Sequence, residues 1–519
     1  MRSILLLVLL NATSLVHAAP NFALSDAPGP YGVGLRVIRQ YDYSRAYRGR
    51  FDRVTGQGST RERARPIQTL IWYPAKRTGT PVHYIEYLRI DATEEVFDLS
   101  SADVDQIGAG LAKSRGGGLT AAQLKEELGL PMRAVLDAPS VPGRFPLIVY
   151  SPGLGGNGHE NADLFEYLAS YGYVVISAAD VGTFGREQTH DMEGIDTHVG
   201  DIEFLIGYAH SLPEADTAHI AVMGFSWGAI SSVLAAARDS RIRAIVSLDG
   251  SVRYYPDLVA QATDVTPERL QVPFLNLISR PQSLEDLSGP DNPKVDFSKS
   301  LIPRLKYSDL YTVTLYPMEH PDFVSGFLRL GSDAAFTEYS RAEVSVAFAW
   351  AAGYVRNFLN AYLKSDAASL AFLNSGSSQN GVPAHLLSVE VHRSAGSPPT
   401  RETFAEELGK RGFEHAKDVY EEMQKKDPAF MLTEEALAWW GYWLQQAQKN
   451  KEAIEIYKLA TIRYPASGNA LNSLAGAYEA NQDKSLAIDT YKRILEVEPG
   501  NVRALQHLKA LGAPDPDIH

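Results

Sequence analysis

The middle of the chain alternates between short apolar runs and longer stretches with helical periodicity. An early run with strand-like alternation lies at Pro66–Tyr73. Later apolar runs of strand length are Leu147–Tyr150, Tyr173–Ser177, Ile220–Met223, Ile242–Leu248, Val272–Ile278 and Tyr311–Tyr316. The helical stretches are Asn161–Tyr171, Asp201–Ser211, Ala229–Ala237 and Glu343–Leu363. This alternation predicts an α/β domain with a mainly parallel sheet covered by helices on both faces.

One predicted strand leads into a helix through a sharp, glycine-flanked turn. The turn is Gly224-Phe225-Ser226-Trp227-Gly228, between an apolar strand and a small-residue helix. Strand, G-x-S-x-G and helix in this order are typical of a nucleophile elbow. The glycines let strand and helix pass closely, and the serine is exposed near the positive end of a helix. Ser226 is therefore the predicted nucleophile.

A serine nucleophile needs a base and a carboxylate that orients the base. His320 follows the last predicted strand and is the only histidine between Asp249 and residue 385. Asp249 ends the strand after the elbow, whereas Asp286 and Asp291 follow the next strand. In sheets of this kind functional residues gather at the carboxyl ends of strands. We expect His320 as base and Asp249 as acid, with Asp291 as the alternative.

Two backbone N–H groups should stabilise the oxyanion. Trp227 follows the nucleophile and supplies the first. The glycine-rich turn Ser151–Gly156 follows a predicted strand, and Leu154 within it is the expected second donor. This turn lacks the lysine of a phosphate-binding loop, which disfavours a nucleotide site.

Composition narrows the class of protein and its compartment. The chain has 519 residues, a net charge of −13 and no cysteine, which disfavours nucleic acid as the main partner and excludes disulfides and a thiol nucleophile. Arg2, the apolar run Ile4–Leu10 and the small residues before Ala19 predict a signal peptide at 1–18. We expect an exported protein, periplasmic or secreted, without a transmembrane segment.

The last quarter of the chain carries an internal repeat. Three residues, Ala453, Tyr457 and Pro465, recur 34 positions later as Ala487, Tyr491 and Pro499. This period and pattern are typical of tetratricopeptide repeats, an all-α architecture that usually binds a peptide or protein segment. A degenerate copy includes Ala416 and Tyr420, and the stretch around 391–400 has the composition of a linker.

The stretch at positions 190–198 is rich in side chains of the types that bind metal ions. It contains His190, Asp191, Glu193, Asp196 and His198. The spacing fits no established ligand pattern, so we expect neither a metal nor a cofactor.

The motifs together resemble the platelet-activating-factor acetylhydrolase branch of the α/β-hydrolases, whose bacterial members are often described as dienelactone-hydrolase-like. The resemblance covers about residues 60–365 and rests on Ser151–Gly156, the elbow, Asp249, and His320-Pro-Asp-Phe. It implies the α/β-hydrolase fold, with Asp249 as acid and Leu154 and Trp227 as oxyanion donors. Where that family usually has His-Gly before the leucine, this chain has Pro152-Gly153.

The sequence therefore predicts an exported serine esterase that acts on short-to-medium acyl esters, small or lipid. Expected domains are a signal peptide at 1–18, an α/β-hydrolase domain at 19–390, a linker at 391–400 and a tetratricopeptide domain at 401–515. Two alternatives stay open. The same triad serves amidases and peptidases, and a hydrolase-like body can act as a scaffold whose repeats bind a protein partner.

Overall fold

A computed structural model describes residues 21–24, 27–47, 64–281 and 300–513. The signal peptide expected at 1–18 and the alternative acids Asp286 and Asp291 lie outside these residues. The chain divides into two compact units between Ala395 and Gly396, within the stretch expected to be a linker. Val391 and His392 still belong to a strand, so the first unit extends past the expected boundary at residue 390.

The first unit is built on one sheet, in which the described residues contribute ten strands. In chain order they are β1 Gly32–Ala46, β2 Ala64–Ala75, β3 Ala134–Leu136, β4 Phe145–Ser151, β5 Val174–Ser177, β6 Ala215–Phe225, β7 Ile242–Leu248, β8 Phe274–Ser279, β9 Leu310–Leu315 and β10 Leu387–His392. Their spatial order is β10-β9-β8-β7-β6-β4-β5-β2-β1-β3. The six neighbouring strands β5, β4, β6, β7, β8 and β9 are parallel. At the two ends of this parallel part, β2 pairs antiparallel with β5, and β10 pairs antiparallel with β9. The expected mainly parallel sheet is present, with antiparallel additions.

Both faces of the central strands are buried. Along β4, Leu147 and Val149 point into one apolar core, and Ile148 and Tyr150 point into the other. This two-sided burial explains why the strands are continuous apolar runs. The unit's helices are Tyr84–Asp91, Ser101–Arg115, Ala121–Leu128, Ala162–Ser170, Met192–Ala209, Trp227–Arg238, Pro256–Ala260, Ser325–Leu330, Arg341–Leu363 and Ala367–Asn374.

The structure differs from the sequence prediction at one helix near the site. The helix expected to begin at Asp201 begins at Met192, where the side chain of Asp191 accepts a hydrogen bond from the Gly194 N–H at 3.1 Å. Asp201 therefore lies inside the helix, where it is buried and pairs with Arg65 at 2.6 Å. Because Asp201 occupies a core-facing position of this helix, the apolar periodicity that marks a helix is interrupted there.

The strands at and next to the edges of the sheet, β1, β3 and β10, were also missed. The long strand β1 pairs with β2 over most of its length, yet its sequence is mixed because one face is only partly buried. The last strand, β10, carries exposed polar residues for the same reason. Edge strands give a weaker apolar signal than central ones.

The second unit is all helical within the described residues. Its helices are Arg401–Arg411, Ala416–Lys426, Glu434–Gln446, Asn450–Arg463, Gly468–Ala480, Lys484–Val497 and Val502–Ala510. The helices starting at Glu434 and Asn450 are followed by helices starting 34 positions later, at Gly468 and Lys484. Neighbouring helices share one apolar core, which includes Tyr457 and Tyr491. The expected helical region and its period are present.

Candidate active site

The turn between β6 and the helix Trp227–Arg238 holds Ser226 in a strained conformation. Its φ is +50° and its ψ is −116°, outside the regions that ordinary residues populate. A Cβ on Gly224 would lie 2.3 Å from the Gly228 carbonyl oxygen, and one on Gly228 would lie 2.0 Å from the Ser151 carbonyl oxygen. No side chain fits at either glycine, so the motif is required by packing. Ser226 remains partly exposed at the tip of this turn.

The three residues expected to form a relay are in hydrogen-bond contact. His320 Nε2 lies 2.9 Å from Ser226 Oγ, and His320 Nδ1 lies 2.7 Å from Asp249 Oδ2. In the tautomer that protonates Nδ1, the ring donates to Asp249 and offers Nε2 as the acceptor for the serine proton. This arrangement can generate a serine nucleophile and return its proton to a leaving group.

Asp249 is fixed more firmly than a surface carboxylate could be. It is fully buried at the end of β7, with φ at +41°, and its Oδ1 accepts from the Ser279 N–H at 2.9 Å. Arg253 lies 4.0 Å from the same oxygen. The backbone donor fixes the direction of this carboxylate, which can then orient the imidazole of His320.

His320 begins a short 3₁₀ turn, His320–Phe323, after the end of β9. Phe225 packs on its ring at 4.8 Å between centroids, with an interplanar angle of 28°. The preceding residue, Glu319, forms an ion pair with Arg280, and its N–H donates to Asp322 at 2.7 Å. Burial raises the pKa of Asp322 to about 6. The imidazole is thus held from one face, while 41% of its side chain stays exposed.

The turn Ser151–Gly156 lies next to the nucleophile, as the oxyanion prediction requires. A Cβ on Gly153 would lie 3.7 Å from the Ser226 Cβ. Within the described residues, the N–H groups of Leu154 and Trp227 have no protein acceptor. Both are therefore available to a ligand. The Leu154 side chain is 38% exposed, whereas the Trp227 indole is buried against Tyr255 and lines a core.

The polar side chains at 190–198 do not gather into one cluster in the structure. No group of side chains suited to a metal ion occurs among the residues that the structure describes. The members point in different directions: His190 packs near Trp227, Asp191 caps a helix, and Asp196 pairs with Arg238. His198 is buried and contacts Ser151 Oγ at 2.9 Å.

Several residues around the site had not been identified from the sequence. Ser251 Oγ lies 3.3 Å from Ser226 Oγ. Glu160 and Asp180 accept hydrogen bonds from the N–H groups of Gly153 and Gly155. Neither carboxylate belongs to a recognisable motif. Their only sequence signal is a charged residue close to the end of a buried strand or turn, and that signal is common in loops.

Comparison with known proteins supports the fold. The family described as X-Pro dipeptidyl-peptidase (S15 family) matches residues 67–313, which include Ser226 and Asp249 but end before His320. A ferulic acid esterase from Streptomyces cinnamoneus is structurally similar, with a TM-score of 0.50 and 18% sequence identity, over 72% of this chain and 100% of that one. No curated protein sequence matches the chain.

These findings establish the coarse classification. The chain has an α/β-hydrolase fold with a C-terminal helical region, and the family match over residues 67–313 favours a hydrolase. No helix in the described part of the chain is long and apolar enough to cross a membrane.

Proposed function

We propose that the protein is an exported serine hydrolase that cleaves carboxylic esters through a Ser226–His320–Asp249 triad. The observation that carries this proposal is the pair of contacts that join His320 to Ser226 at 2.9 Å and to Asp249 at 2.7 Å, on a strained elbow. Beside it, the N–H groups of Leu154 and Trp227 have no acceptor within the described residues. A structural serine has no need of such a combination. Neither a metal nor a cofactor takes part in the proposed steps.

The proposed reaction has two acyl-transfer steps. Ser226 Oγ attacks the ester carbonyl as His320 Nε2 takes its proton, and the N–H groups of Leu154 and Trp227 bind the oxyanion. The tetrahedral intermediate then releases the alcohol, which takes the proton from His320. Water then attacks the acyl-enzyme as His320 takes its proton. The second tetrahedral intermediate collapses, His320 returns the proton to Ser226 Oγ, and the carboxylic acid product leaves. Asp249 orients the imidazole and stabilises its charged form throughout.

The half-exposed His320 and the exposed Leu154 side chain support small esters with short-to-medium acyl chains as substrates. The resemblance to platelet-activating-factor acetylhydrolases points the same way, and a lipid ester is within this class. The buried Trp227 indole contributes to the core and not to an open acyl site. Leu154 is therefore the side chain that we assign to substrate contact.

A second candidate is a peptidase, favoured by the match to the X-Pro dipeptidyl-peptidase family. The same triad cleaves amides, so geometry alone does not separate the two reactions. A panel of p-nitrophenyl esters from acetate to palmitate, measured beside X-Pro p-nitroanilides, decides between them. We expect the highest kcat/KM on acetate or butyrate. A clear preference for the anilides would replace the esterase proposal with the peptidase one.

The nucleophile is tested by labelling with a fluorophosphonate and mapping the modified peptide. We expect the label on Ser226, and we expect the Ser226→Ala variant to lose both labelling and esterase activity. Ser251→Ala is the matched control, because Ser251 Oγ is the neighbouring hydroxyl at 3.3 Å. A label that survives in Ser226→Ala would contradict the assignment.

Two further parts of the proposal concern the ends of the chain. The helical region is proposed to be a tetratricopeptide module that binds a protein segment, supported by the 34-residue recurrence of helix starts.

Export of the protein is proposed because residues 1–18 have the pattern of a signal peptide: a basic residue, an apolar run and small residues before Ala19. Expression of the full chain in a bacterium, with N-terminal sequencing of the exported fraction, should find Ala19 first. A mature protein that keeps residue 1 in the cytoplasm would contradict export.

A further inference from the structure

Three consecutive N–H groups in the turn Ser151–Gly156 have different fates. The Gly153 N–H donates to Glu160 Oε1 at 3.0 Å, and the Gly155 N–H donates to Asp180 Oδ2 at 2.9 Å. The N–H between them, on Leu154, has no acceptor within the described residues. The turn is closed by a bond from the Gly156 N–H to the Gly153 carbonyl at 2.7 Å.

Glu160 is itself held rigidly. It is 7% exposed, and its Oε1 also accepts from the Tyr150 hydroxyl at 2.7 Å. The Asn161 amide donates to that hydroxyl at 2.9 Å, and its Oδ1 accepts from the Ser325 N–H at 2.9 Å. The Gly326 N–H donates to the Glu160 carbonyl at 3.0 Å. Glu160 is thus tied to the segment that directly follows the His320 turn.

Asp180 has a second set of restraints on the other side of the turn. It is fully buried, and its Oδ1 accepts from the Gln188 amide at 2.6 Å. His198 lies 3.4 Å from the same carboxylate and contacts Ser151 Oγ at 2.9 Å through its other nitrogen. The Asp180 N–H donates back to the Gly156 carbonyl at 2.9 Å. This carboxylate therefore contacts the turn through both its side chain and its backbone.

From this arrangement we propose that Glu160 and Asp180 are positioning residues. They hold the turn Ser151–Gly156, which we call the oxyanion turn, from both sides and leave the Leu154 N–H for the substrate. We call the two side chains the carboxylate clamp. The inference rests on the proposed function, because it explains how one of its two oxyanion donors is oriented. Neither carboxylate touches the substrate.

The physical reason lies in the composition of the turn. Four of the five residues from Pro152 to Gly156 are glycine or proline, and three are glycines without a side chain to restrict the backbone. A hydrogen-bond donor stabilises an oxyanion strongly only when its direction is fixed before the reaction. Two buried acceptors on the flanking N–H groups provide that fixation, since they hold the peptide planes on either side of the one that carries the Leu154 N–H.

The helix that follows Glu160 provides a matched control. Glu166 is also buried, and it also accepts from a tyrosine hydroxyl, that of Tyr87, and from a backbone N–H, that of Arg133, each at 2.6 Å. Burial raises the pKa of both glutamates to about 7. Glu166 accepts from a different loop, at Arg133. Its replacement therefore removes a buried carboxyl group and its hydrogen bonds without changing the contacts of the oxyanion turn.

The experiment uses the full chain and compares Glu160→Leu, Glu160→Asp, Glu160→Gln and Asp180→Ala with Glu166→Leu. For each variant, kcat and KM on p-nitrophenyl butyrate are measured with the Ki of an alkyl trifluoromethyl ketone. The ketone forms a tetrahedral adduct with Ser226, so its Ki reports on oxyanion binding, whereas KM reports mainly on the ground state. Thermal unfolding shows which variants are folded.

We expect Glu160→Leu and Asp180→Ala to lower kcat and weaken the ketone by about tenfold to a hundredfold, with KM changed by about twofold or less. Glu160→Gln keeps an acceptor oxygen at the same reach and should recover most of the loss. Glu160→Asp keeps the charge but not the reach, so it should behave like Glu160→Leu. Glu166→Leu should lose stability while its kcat and Ki stay near the wild-type values.

Several outcomes overturn the clamp. One is an active wild type whose folded Glu160→Leu and Asp180→Ala variants keep their kcat and Ki. Another is a Glu166→Leu variant whose kcat falls and whose Ki for the ketone rises as much as in Glu160→Leu. If Glu160→Leu does not fold, unchanged kinetics in Glu160→Asp decide against the clamp. A wild type that neither cleaves esters nor binds the ketone overturns the proposed function and the clamp with it.

Discussion

The sheet region up to Ala395 and the helical region after it are organised by contacts of different range. In the sheet region, His320 contacts Asp249 across 71 positions of sequence and Ser226 across 94. In the helical region, helix starts recur every 34 positions and neighbouring helices pack in chain order. The first region thus brings residues that are far apart in sequence into one site. The second offers a repeated surface.

This contrast affects how the two regions respond to damage. A parallel sheet brings the carboxyl ends of several strands to one edge, so a single substitution there can remove a function that depends on three elements. A stack of helix pairs spreads its stability over neighbouring units, so one substitution acts locally. The following predictions test this difference, beginning with the largest expected effect.

Asp249→Asn tests the dependence of the sheet region on one long-range pair. The asparagine keeps the shape but favours the wrong imidazole tautomer, so we expect kcat on p-nitrophenyl butyrate to fall by about 10⁴-fold. The unfolding temperature should change little. A nearly silent Asp249→Asn, beside a crippling Asp291→Asn, would move the acid to the alternative position.

Gly441→Ala tests the local character of the helical region. A Cβ at Gly441 would lie 2.3 Å from the Tyr457 ring, so the two helices must separate or the ring must move. We expect a loss of about 1–3 kcal/mol in the stability of this region, with kcat unchanged. Gly476→Ala is the control, because a Cβ there meets nothing within 4 Å.

The measurement is denaturant unfolding followed by the fluorescence of the tryptophans near Gly441. The control variant should be as stable as the wild type or slightly more so, since alanine favours a helix over glycine by up to about 1 kcal/mol. An equal loss in both variants would mean that the close approach to Tyr457 is not the cause.

Glu166→Gln tests the contribution of a buried, titrating carboxyl group to the stability of the sheet region. Burial raises the pKa of Glu166 from its ordinary range to about 7, so the folded state binds this proton more tightly than the unfolded chain does. Stability should therefore fall as the pH rises from about 4.5 to about 7. The glutamine variant removes this titration, and it should gain on the order of 1–3 kcal/mol relative to the wild type between about pH 5 and about pH 8.

Thermal unfolding of the wild type and the variant across this pH range gives the measurement. Glu343→Gln is the control, because Glu343 is fully exposed and its pKa is lowered by hydrogen bonds from Ser340. Its difference from the wild type should not change in this window. Parallel pH profiles for wild type and Glu166→Gln would show that the buried carboxyl is not responsible.

Removal of the helical region should have the smallest effect on the chemistry. The truncation belongs after Ala395, because β10 runs to His392 and the Ala395 N–H donates to the Lys306 carbonyl at 2.8 Å. The proposed triad and oxyanion donors all precede this point. We expect kcat/KM on p-nitrophenyl butyrate to stay within about twofold of the full chain. A folded truncated protein whose kcat/KM falls a hundredfold, equivalent to about 2.7 kcal/mol of transition-state stabilisation, would show that the chemistry depends on the helical region.

Parts of the site could be predicted because they are short-range patterns. The elbow requires glycines at fixed offsets from Ser226, since strand and helix cross there, and this requirement is visible in five consecutive residues. His320 was identifiable by elimination after the last strand. The start of the helix at Met192 was missed, because the buried pair of Arg65 and Asp201 places a charge where the pattern requires an apolar residue.

The central strands, the nucleophile elbow and the period of the helical repeat are predictable from the sequence alone. These depend on apolar periodicity and on glycine, which act within a few neighbouring residues. Three features become visible only in the folded chain: the contact between Asp249 and His320, the burial of the Trp227 indole, and the position of Glu160 and Asp180 around the turn that carries the Leu154 N–H. Those contacts depend on strand order and on the burial of polar groups, which are set by packing between segments far apart in the chain.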